Sequence, residues 1–171
     1  MTRKLKTIIV DDEPNAVDFI FSIIGEYCPE LEVTGKAYDV REGVDIINDK
    51  KPDLVFLDVE MPQGTGFDLL DHFPEKDFDV VFITAFNHYA IKAIKFSAVD
   101  YILKPINIKE FIEAVKKVIQ KRSDNKSGSN ENFKILMENL RSGSPSRLAI
   151  PTADGMEYLN PKEIIRIEAA G

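Results

Sequence analysis

The sequence predicts a doubly wound α/β domain on a five-stranded parallel sheet. Three observations predict it. Between Lys6 and Arg122, short apolar runs alternate five times with segments of helical period. Two of the runs, LVFL and VVFI, are apolar at every position, as in strands covered by helices on both faces. Acids, a threonine and a lysine stand where these runs end, and in a parallel sheet such ends share one edge.

The elements follow in order. KTIIVDD is a first strand that runs into acids. PNAVDFIFSIIGEY is a helix with Pro14 in its first turn, where the missing N–H costs nothing. EVTGKA is a weaker strand, and VREGVDIINDKK a helix with apolar Val44, Ile46 and Ile47. LVFLDV is a buried strand ending at Asp58, after which Pro62, Gly64 and Gly66 break the chain. FDLLDHF is a short helix, DVVFITAF a buried strand, HYAIKAIKF a helix and VDYILKP a fifth strand. NIKEFIEAVKKVIQKR closes the series. Its N-cap is Asn107, its apolar positions include Phe111, Val115 and Val118, and its last turns are basic, which suits the helix dipole.

Beyond Arg122 the composition changes. Residues 123–146 read as a polar linker around a short amphipathic segment at 133–140, using Phe133, Leu136, Met137 and Leu140. Residues 147–171 read as two strands around an Asp154-Gly155 turn and a third at Ile164–Glu168, too little chain to close a domain.

Composition excludes several function classes. The 171 residues are 44% apolar and 30% charged, enough for a core and for solubility. No apolar run approaches the ~20 residues that cross a bilayer. The N-terminal apolar run is too short for an export signal, so a cytoplasmic location is expected. Cys28 is the only cysteine, which excludes an internal disulfide and a cysteine-based zinc site. The net charge of −7 argues against nonspecific nucleic-acid binding by the whole surface. Residues 1–122 carry 22 acids against 16 bases, so the acidic excess belongs to the first part.

The strand ends bring together Asp11, Asp12 and Glu13, then Asp58, then Thr84, then Lys104. Taken singly, each has a plain structural reading: a solvated helix entry, a turn former, a β-former, a surface lysine. Together they make a site. Carboxylates this close repel unless a cation neutralises them, and a hard divalent ion, Mg2+ or Mn2+, suits oxygen ligands. Lys104 adds a compact positive charge and Thr84 a hydroxyl. A cation, an ammonium and a hydroxyl around one carboxylate suit a bound phosphoryl group, with Asp58 as nucleophile.

The order Asp-Asp, Asp, Thr, Lys-Pro resembles the receiver domain of bacterial two-component response regulators, over residues 5–122. The resemblance implies a flavodoxin-like fold and a phosphoacceptor Asp58 loaded from a sensor histidine kinase. It implies that Asp12 and Asp58 bind the metal directly, that Asp11 acts mostly through water, and that the backbone carbonyl of Glu60 is a further ligand. Thr84 and Lys104 would contact the phosphoryl group, Tyr101 would be the switch aromatic, and the Lys104-Pro105 bond would be cis. The Glu60 side chain would stand beside the phosphate. The chain would be a switch and not an enzyme, with a homodimer expected on phosphorylation through a surface carrying Ala90, Ile91, Ile94 and Phe96.

Residues 147–171 resemble the start of a LytTR-type DNA-binding domain, the output module of the LytR/AlgR class, on LAIPTADGMEYLNPKEIIRIEAAG. That implies transcription control, with DNA contacted only through a full-length output domain. Two rival readings stay open. Asp58-Val59-Glu60 also fits a Mg2+-dependent phosphatase that forms an aspartyl-phosphate, with Glu60 as acid–base. The domain could also be a receiver-like interaction module that is never phosphorylated.

Overall fold

The computed structural model describes residues 3–124, 148–152 and 155–159. The chain divides into two units, Met1–Arg122 and Ser123–Gly171.

The first unit alternates strands and helices. They are β1 (Leu5–Val10), α1 (Pro14–Tyr27), β2 (Leu31–Ala37), α2 (Val40–Lys50) and β3 (Leu54–Leu57). A small hairpin follows, β4 (Glu60–Met61) and β5 (Gly64–Thr65), then α3 (Gly66–Asp71) and β6 (Asp79–Thr84). The unit closes with α4 (Ala90–Lys95), β7 (Asp100–Leu103) and α5 (Ile108–Asp124). Five strands form one sheet in the order β2-β1-β3-β6-β7, every pairing parallel. The order reverses between β1 and β3, and ligands of such sheets bind at that point beyond the strands' carboxyl ends.

Alternation along the strands builds a core on each face. Ile9, Phe56, Val81 and Ile83 meet Val17 and Ile20 of α1 and Phe111, Val115 and Val118 of α5. Ile8, Val10, Val55, Leu57, Val80 and Phe82 meet Ile47 of α2, Phe67, Leu69 and Leu70 of α3 and Ala93 of α4. Phe56 stacks on Phe111 with ring centroids 4.7 Å apart. Two helix signals act as the sequence predicts: Pro14 opens α1, and Asn107 Oδ1 accepts from the Lys109 and Glu110 N–H groups. Asp39, which was not singled out, caps α2 through the Glu42 N–H.

Three expectations need correction. The third strand stops at Leu57, so Asp58 stands one residue past it. The break after Asp58 is itself structured, because Glu60 pairs with Thr65 and Met61 with Gly64 in an antiparallel hairpin. Phe96 is not on the exposed apolar surface. It turns inward against Phe67, with centroids 5.2 Å apart. Ile91 and Ile94 are exposed as expected, while Ala90 is half-buried.

In the second unit, β8 (Leu148–Thr152) and β9 (Gly155–Leu159) pair antiparallel. The expected helix at 133–140 and strand at 164–168 lie outside the described residues.

Candidate phosphoacceptor site

The strand ends converge as their order requires. Asp11 follows β1 and Asp58 follows β3, both nearly fully buried. The Asp58 N–H donates to the Val10 carbonyl at 2.9 Å, which extends the β1–β3 ladder by one step and fixes the acid at its edge. Gly66 completes the seat. Its N–H donates to the Val59 carbonyl at 2.7 Å, and a Cβ there would lie 2.3 Å from the Asp58 carbonyl oxygen. The glycine is therefore required by a close approach of backbone to backbone. The hairpin turn carries the strain of this return at Gln63, with φ 68°.

Lys104, just past β7, places Nζ 2.9 Å from an oxygen of each of Asp11, Asp58 and Glu13. It donates hydrogen bonds to Asp58 Oδ2 and Glu13 Oε1. Asp11 Oδ2 lies off the ammonium's hydrogen-bonding direction, so this buried oxygen has an ion-pair partner and no hydrogen bond. Burial pushes the Asp11 carboxyl above its ordinary value, against the pull of Lys104 and the Glu13 N–H, and Asp58 adds to the rise. For Lys104, burial alone would lower the ammonium's pKa. Its ion pairs with Asp11, Glu13 and Asp58 outweigh that and hold it above its ordinary value.

Asp12 is half-buried beside this pair. One oxygen each of Asp11, Asp12 and Asp58 lie within 4.8 Å of one another. An all-oxygen set with one orphaned buried lone pair fits a hard divalent cation. The Thr84 hydroxyl, at the end of β6, is fully buried and has no hydrogen-bond partner among the described residues, so a donor is available for an incoming oxygen. The Lys104-Pro105 bond is cis, as expected.

Three further placements differ from the sequence reading or add to it. The Asp58 carboxylate is not exposed. Its side chain is 6% accessible under the Lys104 ammonium, and Oδ1 also accepts from the Val59 N–H at 2.6 Å. The Glu60 side chain is held by another residue, with the Tyr89 hydroxyl donating to Oε1 at 3.0 Å. Tyr101 is half-buried over Phe82, and its hydroxyl donates to the Phe86 carbonyl, in the loop that follows Thr84. Tyr89 and Phe86 are the participants the sequence reading missed, while Glu13 was placed at this edge without a role. The Asp-Asp-Glu run was a signal for Glu13, whereas nothing in the spacing marked Tyr89. Both histidines are exposed: His72 sits 2.9 Å from the Asp68 carbonyl, and His88 packs against Tyr89.

Residues 7–116 match the response regulator receiver domain. The chain is 38% identical over 123 residues to an uncharacterised response regulatory protein of Vibrio cholerae, covering 70% of this chain and 52% of that one. It is 36% identical over 120 residues to the transcriptional regulatory protein BtsR of Escherichia coli, covering 70% and 50%. The chain thus spans about half the length of the curated relatives it matches. Among solved structures, the REC domain of the response regulator AraT from Geobacillus stearothermophilus aligns with a TM-score of 0.65 and 30% identity, covering 74% of this chain and 99% of that one. The response regulator domain of Thermotoga maritima CheB aligns with a TM-score of 0.60 and 28% identity, covering 69% and 96%. The fold, the strand-end acids and these likenesses agree: this chain belongs to the response regulator receiver domain family of two-component systems.

Proposed function

We propose that the first unit is a phosphoacceptor switch. One observation carries the reading: a lysine binds the acceptor carboxylate while a buried hydroxyl at the neighbouring strand end has no partner among the described residues. An Asp58 oxygen attacks the phosphorus of a kinase phosphohistidine. The P–N bond breaks, its electron pair stays on the imidazole nitrogen, and that nitrogen takes up a proton. Lys104 pairs with the arriving phosphoryl oxygens and Thr84 donates to one of them. Asp11, Asp12, Asp58 and the Glu60 carbonyl would hold Mg2+ or Mn2+. When bound, the cation supplies neutralisation of the charge on the transferring group.

The switch follows from the loop after Thr84. Movement of Thr84 toward the phosphoryl group is passed to Tyr101 through residues 85–89. The surface near α4 and β7, with exposed Phe86, Ile91, Ile94 and Leu103, is then repacked for a dimer contact. We further propose that the whole protein controls transcription through a LytTR-type output domain. The β8–β9 hairpin, the greater length of the relatives and the likeness to BtsR, a transcriptional regulatory protein, support this. Such a regulator works in the cytoplasm. No helix among the described residues is long and apolar enough to cross a membrane.

Intact mass measurement after acetyl phosphate treatment tests the reading. With Mg2+, the wild type should gain the mass of one phosphoryl group, and Asp58→Asn none. Rapid multiple turnover on a phosphomonoester would favour a phosphatase instead. That reading also needs a free Glu60 carboxylate, whereas here Tyr89 holds it.

A further inference from the structure

The loop between Thr84 and α4 is pinned on two sides. Tyr101 on β7 donates its hydroxyl to the Phe86 carbonyl, and Tyr89 donates its own to Glu60 on β4. Glu60 lies two residues after Asp58, and Tyr89 five after Thr84. The second bond therefore ties together the two loops that carry the acceptor and the hydroxyl. Tyr89 is well seated for this. Its ring packs against Phe67 at 5.8 Å, Phe86 at 6.3 Å and His88 at 4.1 Å between centroids. Phe67 is itself buried and fixed against Phe82 at 4.9 Å. Holding such a phenol costs little entropy. Glu60 is exposed on a two-residue strand, and its longer side chain is otherwise free to turn.

We infer that the Tyr89–Glu60 hydrogen bond is a latch that strengthens anion binding at Asp58, with Tyr89 as a positioning residue. The inference rests on the phosphoacceptor reading above. Two effects act in the same direction. With the hydroxyl gone, the Glu60 carboxylate is free to turn toward a phosphoryl dianion two residues away and repel it. The loop carrying Thr84 also loses its tether to the acceptor loop, and its ordering must then be charged against binding. Glu60 thus has two separable properties: an acceptor that anchors the loop, and a charge that must be kept aside.

The test is calorimetric titration of the full chain with beryllium fluoride, a phosphoryl mimic, in excess Mg2+. Tyr89→Phe keeps the ring and its packing, and should bind the mimic about three- to ten-fold more weakly than the wild type, the range of one hydrogen bond. In a Glu60→Ala background the same substitution should change nothing further, because the latch is already gone. In a Glu60→Gln background, where the amide oxygen still accepts from Tyr89 but carries no charge, Tyr89→Phe should cost less than in the wild type. Unchanged or tighter binding by Tyr89→Phe, or an equal cost with and without Glu60, would overturn the latch. A wild type that fails to bind the mimic at all would bring down the phosphoacceptor reading, and the latch with it.

Discussion

Lys104 Nζ stands 2.9 Å from Oδ2 of Asp58, so a side chain from the end of β7 closes over the acid at the end of β3. The same ammonium lies 2.9 Å from Asp11 at the end of β1. One cation thus spans the point where the strand order reverses, and it offsets two nearly buried carboxylates.

Removing that cation should make stability sensitive to pH. In Lys104→Met, the Asp11 and Asp58 carboxylates face each other without a counter-charge, and the cost should be about 1–3 kcal/mol at pH 7. Burial already raises the Asp11 carboxyl in the wild type. A folded-state pKa above the unfolded value favours folding below that unfolded value, and the advantage fades as pH rises through the folded one. The melting deficit of Lys104→Met should therefore be largest at neutral pH and shrink as pH falls toward 4. Thermal melts across that range check it.

A divalent cation should do for the carboxylates what Lys104 does in part. Mg2+ is expected to raise the melting temperature of the wild type, by an amount equal to about 2.7 kcal/mol at a hundred-fold excess over its Kd. Asp11→Asn should show almost none of this gain. Without metal, Asp11→Asn should melt higher than the wild type at neutral pH, since it removes one of the clustered charges. Melts with and without Mg2+ separate the two effects.

Gly66 fixes Asp58 from behind. Gly66→Ala puts a methyl 2.3 Å from the Asp58 carbonyl oxygen, and should cost about 1–3 kcal/mol. Because the displaced backbone is that of Asp58, phosphorylation by acetyl phosphate should also slow. Urea unfolding and mass measurement on one sample check both.

The opposite edge of the sheet holds a second charge cluster. Asp79 accepts from Lys121 Nζ and from Arg122 Nε, each at 2.6 Å, and Arg122 Nη1 reaches Asp53 at 3.2 Å. These bonds fasten the end of α5 to the starts of β3 and β6. Asp79→Ala should cost about 1–3 kcal/mol, discounted for partners that are partly in solvent. Amide exchange should quicken in the last turns of α5 and stay unchanged in α1.

Much of this was legible in the sequence, for reasons specific to each element. LVFL and VVFI could only be strands covered on both faces, and their ends carry the acids and Thr84. Pro14 and Asn107 marked helix starts through local chemistry alone. The β4–β5 hairpin was not legible, because two-residue strands give no period and Gly64 and Gly66 read as a break. Phe96 was misplaced because α4 spans six residues, too few to fix which side faces the core. The burial of Asp58 depends on Lys104, 46 residues away, folding over it. Tyr89 lay beyond reach for the same reason, since its bond to Glu60 joins two loops with no pattern of their own.

Reductive trapping reads out directly whether Asp58 is the phosphoryl acceptor. The full chain is treated with acetyl phosphate and Mg2+, then with borohydride, which converts an aspartyl phosphate to homoserine, and the peptides are sequenced by mass spectrometry. Homoserine is expected at position 58 alone. Homoserine at Asp11 or Asp12, or none anywhere, would contradict it.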